Sequence, residues 1–258
     1  MKVVILAGGL GTRLSEETVV KPKPMVEIGQ EPILWHIMKI YDHCGYRDFI
    51  ICGGYKQELI KQYFNSYVLN HSTVKFSFSP LKTLIIHKPK ENWNVMVADT
   101  GFSTMTGGRI KRISNFLPDN EDFLMTYGDG VADINVNELV AFHKRHGKLA
   151  TVTGIQPVGR FGRLSIDTND FVTAFSEKEK GDDGWINAGF YVLNKKVINY
   201  IKDDDTVFEN EPMSELAKIK ELKVYKHRGF WEPMDTLNDK RKLEELWKSN
   251  PPWKIWNE

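Results

Sequence analysis

Apolar residues in this 258-residue chain form short, nearly continuous runs that are separated by longer stretches with a helical period. The runs at 3–7, 48–52, 74–79, 122–126, 150–154 and 189–193 predict β-strands, because a strand covered on both faces shows no polar alternation. Apolar residues three or four positions apart predict helices at 33–41, 56–67, 136–146 and 237–247. This alternation predicts an α/β fold with a mostly parallel, doubly wound sheet.

Two parts of the chain depart from this alternation. Residues 84–87 and 94–98 predict an antiparallel ribbon beside the sheet. From residue 164 the pattern becomes β-rich, with strand signals at 164–167, 172–176 and 186–193, and predicts a mixed lid over a pocket. We expect one domain, in which Trp247, Trp253 and Trp256 either anchor the C-terminal helix by packing or form an oligomer contact.

The charge balance excludes some classes of partner. Lys plus Arg number 35 against 34 Asp plus Glu, so the chain has no global field for nucleic acid or an anionic membrane. We therefore expect a small ligand. No apolar run is long enough to span a bilayer and the N-terminus lacks a signal-peptide layout, which favours the cytoplasm. Cys44 and Cys52 lack a metal-ligand spacing and are predicted to be buried, reduced thiols.

A glycine turn follows the first predicted strand. Gly8, Gly9 and Gly11 leave backbone N–H groups uncovered at the carboxyl end of the strand, where α/β sheets bind ligands. Arg13 and Lys23 add positive charge, so the segment predicts a polyanion site. A purely structural turn is the alternative. The dinucleotide-binding pattern fails because Leu14 stands where Gly or Ala is required, and no P-loop sequence is present.

Carboxylates near predicted element ends are the candidate metal ligands. Asp129 lies between two glycines after the strand at 122–126, where it could contact a hydrated Mg²⁺ bound to phosphates. An Asp-Gly turn explains the same three residues equally well. Asp235 precedes a helix, where an N-cap is the strong alternative. Asp133 is predicted to cap the helix that starts near residue 136.

Two further segments carry polar residues without a decisive spacing. Residues 104–108 precede a predicted helix at 109–116, whose N-terminus suits phosphate or a base edge. Arg109 at its start is either a ligand residue or a surface residue. In the β-rich part, Lys178 and Asn187 have the charge and hydrogen-bonding capacity to meet a second, sugar-like ligand.

Several motifs together resemble one known family along the whole chain. They are LAGGLGTRL at 6–14, KPKPMVEI at 21–28, DTG at 99–101, TMTGGR at 104–109, YGDGV at 127–131, GRFG at 159–162 and FWEPMDTL at 230–237. The chain resembles the sugar-nucleotide pyrophosphorylases, which are nucleotidyltransferases. The resemblance implies a Rossmann-like nucleotide-diphospho-sugar transferase fold with a mostly parallel mixed sheet and a β-rich sugar-binding portion. It also implies that CTP and α-D-glucose 1-phosphate react with Mg²⁺ to give CDP-glucose and pyrophosphate.

The resemblance also assigns roles to individual residues. Residues 1–135 would mainly bind the nucleotide. Residues 136–258 would mainly bind the sugar phosphate and would include the C-terminal helix. Arg13, Lys23, Asp129 and Asp235 would be catalytic, with Asp129 and Asp235 holding the metal. Nucleotide contacts would come from Leu6, Ala7, Gly8, Gly9, Leu10, Gly11, Thr12, Arg13, Lys23, Thr104, Arg109 and Gly128. Sugar-phosphate contacts would come from Glu177, Lys178, Asn187 and Gly189, although Glu179 replaces the proline of the family's Glu-Lys-Pro pattern.

The resemblance further implies a homo-oligomer, a trimer or hexamer, and a product used to make surface polysaccharide such as the lipopolysaccharide O-antigen. Three alternatives stay open at this point. They are a pyrophosphorylase that uses UTP or dTTP, a nucleotide-sugar binding or regulatory protein without turnover, and, as a distant third, an oxidoreductase.

Overall fold

The computed structural model describes residues 1–156, 163–166, 171–176 and 184–256. Within them the strands are β1 Val3–Ala7, β2 Glu27–Ile28, β3 Glu31–Pro32, β4 Asp48–Gly53, β5 Thr73–Phe78, β6 Leu81–His87, β7 Asn94–Asp99, β8 Asp122–Tyr127, β9 Gly130–Ala132, β10 Ala150–Ile155, β11 Arg163–Ile166, β12 Val172–Ser176, β13 Ile186–Asn194, β14 Leu222–Lys226 and β15 Trp231–Pro233. The α-helices are α1 Ser15–Thr18, α2 Ile33–His43, α3 Gln57–Asn70, α4 Thr106–Arg112, α5 Val136–His146, α6 Glu211–Lys218 and α7 Leu237–Ser249. Short 3₁₀ turns lie at Thr12–Leu14, Lys23–Met25, Ser114–Phe116 and Lys195–Tyr200.

Seven strands form the main sheet in the order β14-β10-β13-β8-β1-β4-β7. β1 runs parallel to β4 and β8, β4 runs parallel to β7, and β10 runs parallel to β14. Among the described strands of this sheet, β13 alone is antiparallel to its neighbours, β8 and β10. The prediction of a mostly parallel mixed sheet is therefore confirmed.

The sheet is covered on both faces, which explains the unbroken apolar runs. Along β1, Val3 and Ile5 belong to one apolar core, while Val4 and Leu6 belong to the other. Helices α2, α5 and α7 pack into the first core, and α4 and α6 pack into the second. Because side chains alternate across a strand, both sets must be apolar when both faces are buried.

The predicted ribbon between 84–87 and 94–98 is wrong. β7 is the edge strand of the main sheet, and β6 pairs antiparallel with β5 in a separate two-stranded sheet, so the run at 74–79 also lies outside the main sheet. A two-residue connection between β5 and β6 closes this hairpin locally, whereas Val95 and Val97 of β7 pack against the core. Sequence proximity misled the prediction, because short apolar runs do not specify their partners.

The β-rich part divides between two sheets. β11 and β12 form an antiparallel pair, but β13, predicted with them as part of a lid, is a long strand in the middle of the main sheet. Six of its nine residues are buried in succession, a pattern that only a central position provides. The GRFG motif at 159–162, Glu177 and Lys178 lie outside the described residues.

The C-terminal tryptophans are packing residues. Trp253 is fully buried, Trp256 nearly so, and both lie against His36 of α2 beside Trp247. No helix in the described residues is long and apolar enough to cross a membrane.

Candidate active site

A cavity of about 310 Å³ lies at the carboxyl ends of β1 and β8, beside the glycine turn that follows β1. These parallel strands send their loops out at one edge of the sheet, which is where open α/β sheets bind ligands. The predicted nucleotide-binding residues that line it are Leu6, Ala7, Gly8, Gly9, Gly11, Thr12, Arg13, Lys23, Thr104, Arg109 and Gly128. Leu10, also predicted, is exposed and does not line the cavity.

Two glycines of the turn are required by geometry. Gly11 has φ of +65°, in the left-handed region that side chains disfavour. A Cβ on Gly8 would lie 2.1 Å from Nη1 of Arg109, so only glycine allows that guanidinium to support the turn. The turn is thus shaped both by its own backbone and by a buried arginine behind it.

Arg13, Lys23, Asp129 and Asp235 form one polar cluster beside this cavity. Lys23 Nζ lies 2.7 Å from Oδ2 of Asp129 and 2.6 Å from Oδ1 of Asp235. Nη1 of Arg13 lies 2.8 Å from Oδ2 of Asp235. The structure therefore brings together four side chains from three separate parts of the sequence, with two positive and two negative charges.

Lys23 owes its position to the prolines around it. It begins a 3₁₀ turn that Pro22 precedes in extended conformation and Pro24 continues, and both Lys23 and Pro24 are buried. The side chain of Lys23 is 10% exposed, against 73% for Arg13. Since proline fixes φ, the Lys-Pro-Lys-Pro sequence holds the ammonium with little backbone freedom.

A short antiparallel ladder positions the two carboxylates. Asp129 directly precedes β9 and Asp235 follows β15 closely, and these two strands pair with each other. The backbone N–H of Met234 also donates to the carbonyl of Asp129 at 2.7 Å. The ladder therefore holds the backbones of both aspartates side by side.

The N-cap alternative for Asp235 is wrong. Thr236 caps α7 and forms a capping box with Asp239, whose carboxylate accepts the backbone N–H groups of Asp235 and Thr236. This leaves the carboxylate of Asp235 to contact Arg13 and Lys23.

Asp133 does not cap α5 either, because Asn135 does so through its side-chain oxygen. The carboxylate of Asp133 instead accepts the backbone N–H of Phe230 and contacts Nε2 of His227 at 2.8 Å. It thereby links the start of α5 to the segment that leads into β15.

Arg109 is neither a surface residue nor the first residue of a helix. α4 begins at Thr106, three residues earlier than predicted, and ends at Arg112, so Arg109 lies inside it and is 4% exposed. Its guanidinium donates to the carbonyls of Gly8 and Gly53 and to the hydroxyl of Thr100. Burial lowers the pKa of this guanidinium. Arg109 therefore joins the glycine turn to the ends of two neighbouring strands.

Asp129 and Asp235 fit a divalent cation. Because their oxygens contact the same ammonium nitrogen, they lie no further apart than the sum of those two distances. Mg²⁺ characteristically takes one or two protein carboxylates, with phosphate oxygens and water completing its shell. Within the described residues no group of three His, Cys, Asp or Glu side chains could hold a metal. A cation here would therefore need phosphate oxygens and water to complete its coordination shell.

A second cavity of about 220 Å³ contains Asn187 but not Gly189. Apolar side chains, including Trp185, form much of its wall, and Glu209 adds a carboxylate. Gly189 has φ of +81° and packs against the ring of Tyr127 instead. Asn187 and Gly189 thus lie together, but only Asn187 faces this space.

Sequence reasoning missed Tyr127, Thr106 and Glu209. Tyr127 and Thr106 line the first cavity, Glu209 lines the second, and both hydroxyls donate to the Glu209 carboxylate. The position of Tyr127 directly before Gly128 and Asp129 was a usable signal. Glu209 gave none, because it reaches the site from a distant part of the chain.

Comparison with known proteins settles the family. The nucleotidyl transferase family model matches residues 2–248. The chain belongs to this nucleotidyl transferase family. It is 56% identical to a glucose-1-phosphate cytidylyltransferase of Salmonella typhi over 99% of this chain and 100% of that protein. It is 45% identical to a probable glucose-1-phosphate cytidylyltransferase of Bacillus subtilis, again over 99% and 100%.

A solved structure supports the fold of this nucleotidyl transferase. The structure of a putative glucose-1-phosphate thymidylyltransferase from Bacillus anthracis matches with a TM-score of 0.70 and covers 96% of each chain. Sequence identity is 18%, so the match speaks for the fold alone. Together with the sheet order, it confirms the predicted Rossmann-like architecture.

Proposed function

We propose that this nucleotidyl transferase converts CTP and α-D-glucose 1-phosphate into CDP-glucose and pyrophosphate. The observation that carries the proposal is the Lys23 ammonium, held between Asp129 and Asp235 beside a cavity that begins at a glycine turn. Transfer between two phosphates needs positioning and charge neutralisation, and this cluster offers both. The choice of CTP and glucose 1-phosphate rests on the Salmonella typhi and Bacillus subtilis relatives, which align with nearly the whole chain.

In the proposed reaction, a phosphate oxygen of glucose 1-phosphate attacks the α-phosphorus of CTP in line with the bond to the β-phosphate. That bond breaks and pyrophosphate leaves with the electron pair. The attacking phosphate is already an anion, so no protein nucleophile or general base is required. The protein must hold two anions together, which costs about 4 kcal/mol for unit charges about 4 Å apart at an effective dielectric near 20.

Individual residues offset this repulsion. Lys23 is assigned to the α-phosphate because it is the more buried of the two cations in the cluster, while Arg13 and the glycine turn are assigned to the outer phosphates. Low exposure strengthens the ammonium's field, since less water screens it. Arg109 acts indirectly, because its guanidinium donates to the carbonyl of Gly8 and so supports the glycine turn.

The charge balance of the cluster supports a metal requirement. Its two cations are matched by Asp129 and Asp235, so the cluster has no net positive charge to set against a triphosphate. We therefore propose Mg²⁺ held by these two carboxylates. When bound, the cation would neutralise phosphate charge and orient the phosphate oxygens.

We assign the sugar phosphate to the side of the second cavity, where Asn187 and the adjacent Gly189 lie. Glu177 and Lys178 complete this assignment by resemblance to the family. Residues 1–135 would then mainly bind CTP, and the remainder mainly the sugar phosphate.

We also propose a homo-oligomer that works in the cytoplasm, upstream of surface-polysaccharide synthesis. The β5–β6 hairpin supports self-association, because Phe78 and Leu81 at its tip are 85% and 86% exposed. Light scattering of the wild type and of a Phe78→Ser, Leu81→Ser variant tests this. A monomeric wild type would refute the oligomer.

The test of function is one assay with a nucleotide panel. Purified protein is incubated with glucose 1-phosphate, Mg²⁺ and CTP, UTP or dTTP, and the products are identified by mass. We expect CDP-glucose and pyrophosphate in equal amounts with CTP. Preferential UDP- or dTDP-glucose formation would change the nucleotide assignment, and CTP binding without pyrophosphate release would identify a silent binder.

A further inference from the structure

A chain of hydrogen bonds crosses the wall between the two cavities. The backbone N–H of Gly189 donates to Oδ1 of Asn187 at 2.8 Å, and Nδ2 of Asn187 donates to the hydroxyl of Tyr191 at 2.5 Å. The hydroxyls of Tyr191 and Tyr127 lie 3.1 Å apart, and Tyr127 donates to Oε1 of Glu209. Asn187 and Glu209 line the second cavity, whereas Tyr127 lines the first.

Elementary donor and acceptor rules fix the direction of every bond in this chain. A backbone N–H can only donate, so the amide oxygen of Asn187 faces Gly189 and its NH₂ group faces Tyr191. An ionised carboxylate can only accept, so Tyr127 directs its single proton to Glu209. Tyr191 must therefore donate to Tyr127. Both ends impose the same direction, and the chain has one consistent arrangement.

Because the chain is buried, its hydrogen bonds are held in this one direction. Tyr191 is fully buried, and burial, together with the nearby carboxylate of Glu209, raises the pKa of Tyr127. Burial likewise raises the pKa of Tyr191, so both hydroxyls keep their protons in neutral solution. Reversal of the chain would turn the NH₂ group of Asn187 toward the N–H of Gly189, leaving two donors opposed and an acceptor unsatisfied.

A second hydroxyl anchors the carboxylate that ends the chain. Thr106, in the wall of the first cavity, donates to Oε2 of Glu209 at 2.6 Å and accepts the backbone N–H of Phe208 at 2.9 Å. Glu209 thus holds two side chains of the first cavity while lining the second. No other carboxylate among the described residues contacts both Tyr127 and Thr106.

We infer that Glu209 is a positioning residue for transfer, because it accepts the last proton of a one-directional chain that orients Asn187 toward the glucosyl group. Asn187 gives one amide N–H to Tyr191, which leaves its second N–H for a sugar hydroxyl in the second cavity that it lines. Tyr127 is held at the same time in the wall of the nucleotide cavity. This inference rests on the proposed function, since it assigns the glucosyl group to the second cavity.

The test compares two substitutions of the same carboxylate. Glu209→Gln keeps an oxygen that accepts from Tyr127, while Glu209→Leu removes every acceptor at similar size. We expect kcat/KM for glucose 1-phosphate to fall about tenfold or more in Glu209→Leu and to stay within about threefold of wild type in Glu209→Gln. Glu31→Leu is the matched control, because Glu31 also accepts a tyrosine hydroxyl, from Tyr63, and lines neither cavity.

A substrate series separates positioning from general damage. Wild type and Tyr191→Phe are compared on glucose 1-phosphate and its monodeoxy analogues. If Asn187 is oriented by the chain, the penalty for removing one particular hydroxyl is smaller in Tyr191→Phe than in wild type. This comparison remains available if Glu209→Leu does not fold.

The inference is overturned if the Leu and Gln variants have equal kcat/KM, or if Glu209→Leu changes only the melting temperature. It is also overturned if every deoxy analogue is penalised equally in wild type and Tyr191→Phe. Failure of the proposed function has a different signature, because the wild type would then form no CDP-glucose with any sugar phosphate.

Discussion

Replacement of Lys23 by methionine removes one charge from the polar cluster while it keeps most of the side-chain volume. The side chain is 10% exposed, and its ammonium is the bridge between Asp129 and Asp235. Lys23→Met would leave the two carboxylates close to each other without the ammonium between them, and Arg13 contacts Asp235 but not Asp129. The substitution therefore affects both folding and phosphate binding, but by different amounts.

Partial exposure of the cluster to solvent limits how far the substitution lowers the free energy of unfolding. A fully buried ion pair that loses one partner costs about 3–5 kcal/mol, whereas an exposed pair is worth less than about 1 kcal/mol. The carboxylates of Asp129 and Asp235 are 31% and 24% exposed, which places this cluster between the two limits. We expect the free energy of unfolding to fall by about 1–2 kcal/mol, a drop in Tm of roughly 2–8 °C for a chain of this size.

The effect on turnover is larger. Removal of one preorganised group that stabilises transition-state charge costs about 10²–10³ in kcat, equivalent to about 3–4 kcal/mol. Lys23 is assigned to the phosphate at which bonds form and break, so this loss applies to kcat and not only to KM. Lys23→Met should therefore lower kcat at least about 100-fold at temperatures where the protein remains folded.

Initial rates of pyrophosphate release and thermal melts measure the two effects separately. Lys39→Met is the matched control, because Lys39 is 14% exposed and pairs at 2.9 Å with Glu91, which is 12% exposed. The control should lose stability and keep kcat. The reasoning is refuted if Lys23→Met retains kcat within about threefold of wild type, or if the control loses kcat equally.

Three further outcomes are expected. Asp129→Asn and Asp235→Asn should each raise the Mg²⁺ concentration needed for half-maximal rate by about tenfold or more, and an unchanged Mg²⁺ titration in both would remove them from the metal site. Arg109→Leu should lose stability and weaken CTP binding together, because it removes five hydrogen bonds from the two terminal guanidinium nitrogens and leaves backbone and hydroxyl acceptors unpaired; calorimetry that found only one effect would contradict this. Burial lowers the pKa of His36 to about 4, so the unfolded chain binds this proton at higher pH. His36 alone should lower the free energy of unfolding by roughly 3 kcal/mol as pH drops from 6.5 to 4, and His36→Gln should flatten this part of a denaturation series by that amount.

Much of the fold followed from local pattern. The run at 3–7 matches β1 without error, and the apolar period at 136–146 matches α5 at both ends. Both elements are bounded by residues that commonly mark the ends of regular structure. Glycines follow β1, and Asn135 caps the N-terminus of α5. Strand partners were less accessible, because β5, β6 and β7 are similar short runs and only the tertiary structure distinguishes a local hairpin from a sheet edge.

The candidate site was predictable where small residues surround a charge. Asp129 lies between two glycines, and Lys23 lies between two prolines, so backbone chemistry marked both positions in advance. Arg109 gave a misleading signal, since its basic neighbours suggested an exposed helix face. Its burial depends on carbonyl groups at the ends of β1 and β4, which the sequence does not reveal.

Asp235 shows what separates a capping residue from a site residue. An aspartate one or two positions before a helix normally satisfies the first free N–H groups, and the pattern cannot say which of two adjacent candidates does so. Here Thr236 and Asp239 satisfy those groups as a capping box, and Asp239 also accepts the N–H of Asp235 itself. Asp235 is therefore left with both carboxylate oxygens directed to the cations of the cluster. A second capping candidate next to an acidic residue is thus a physical reason to expect that the acidic residue serves another purpose.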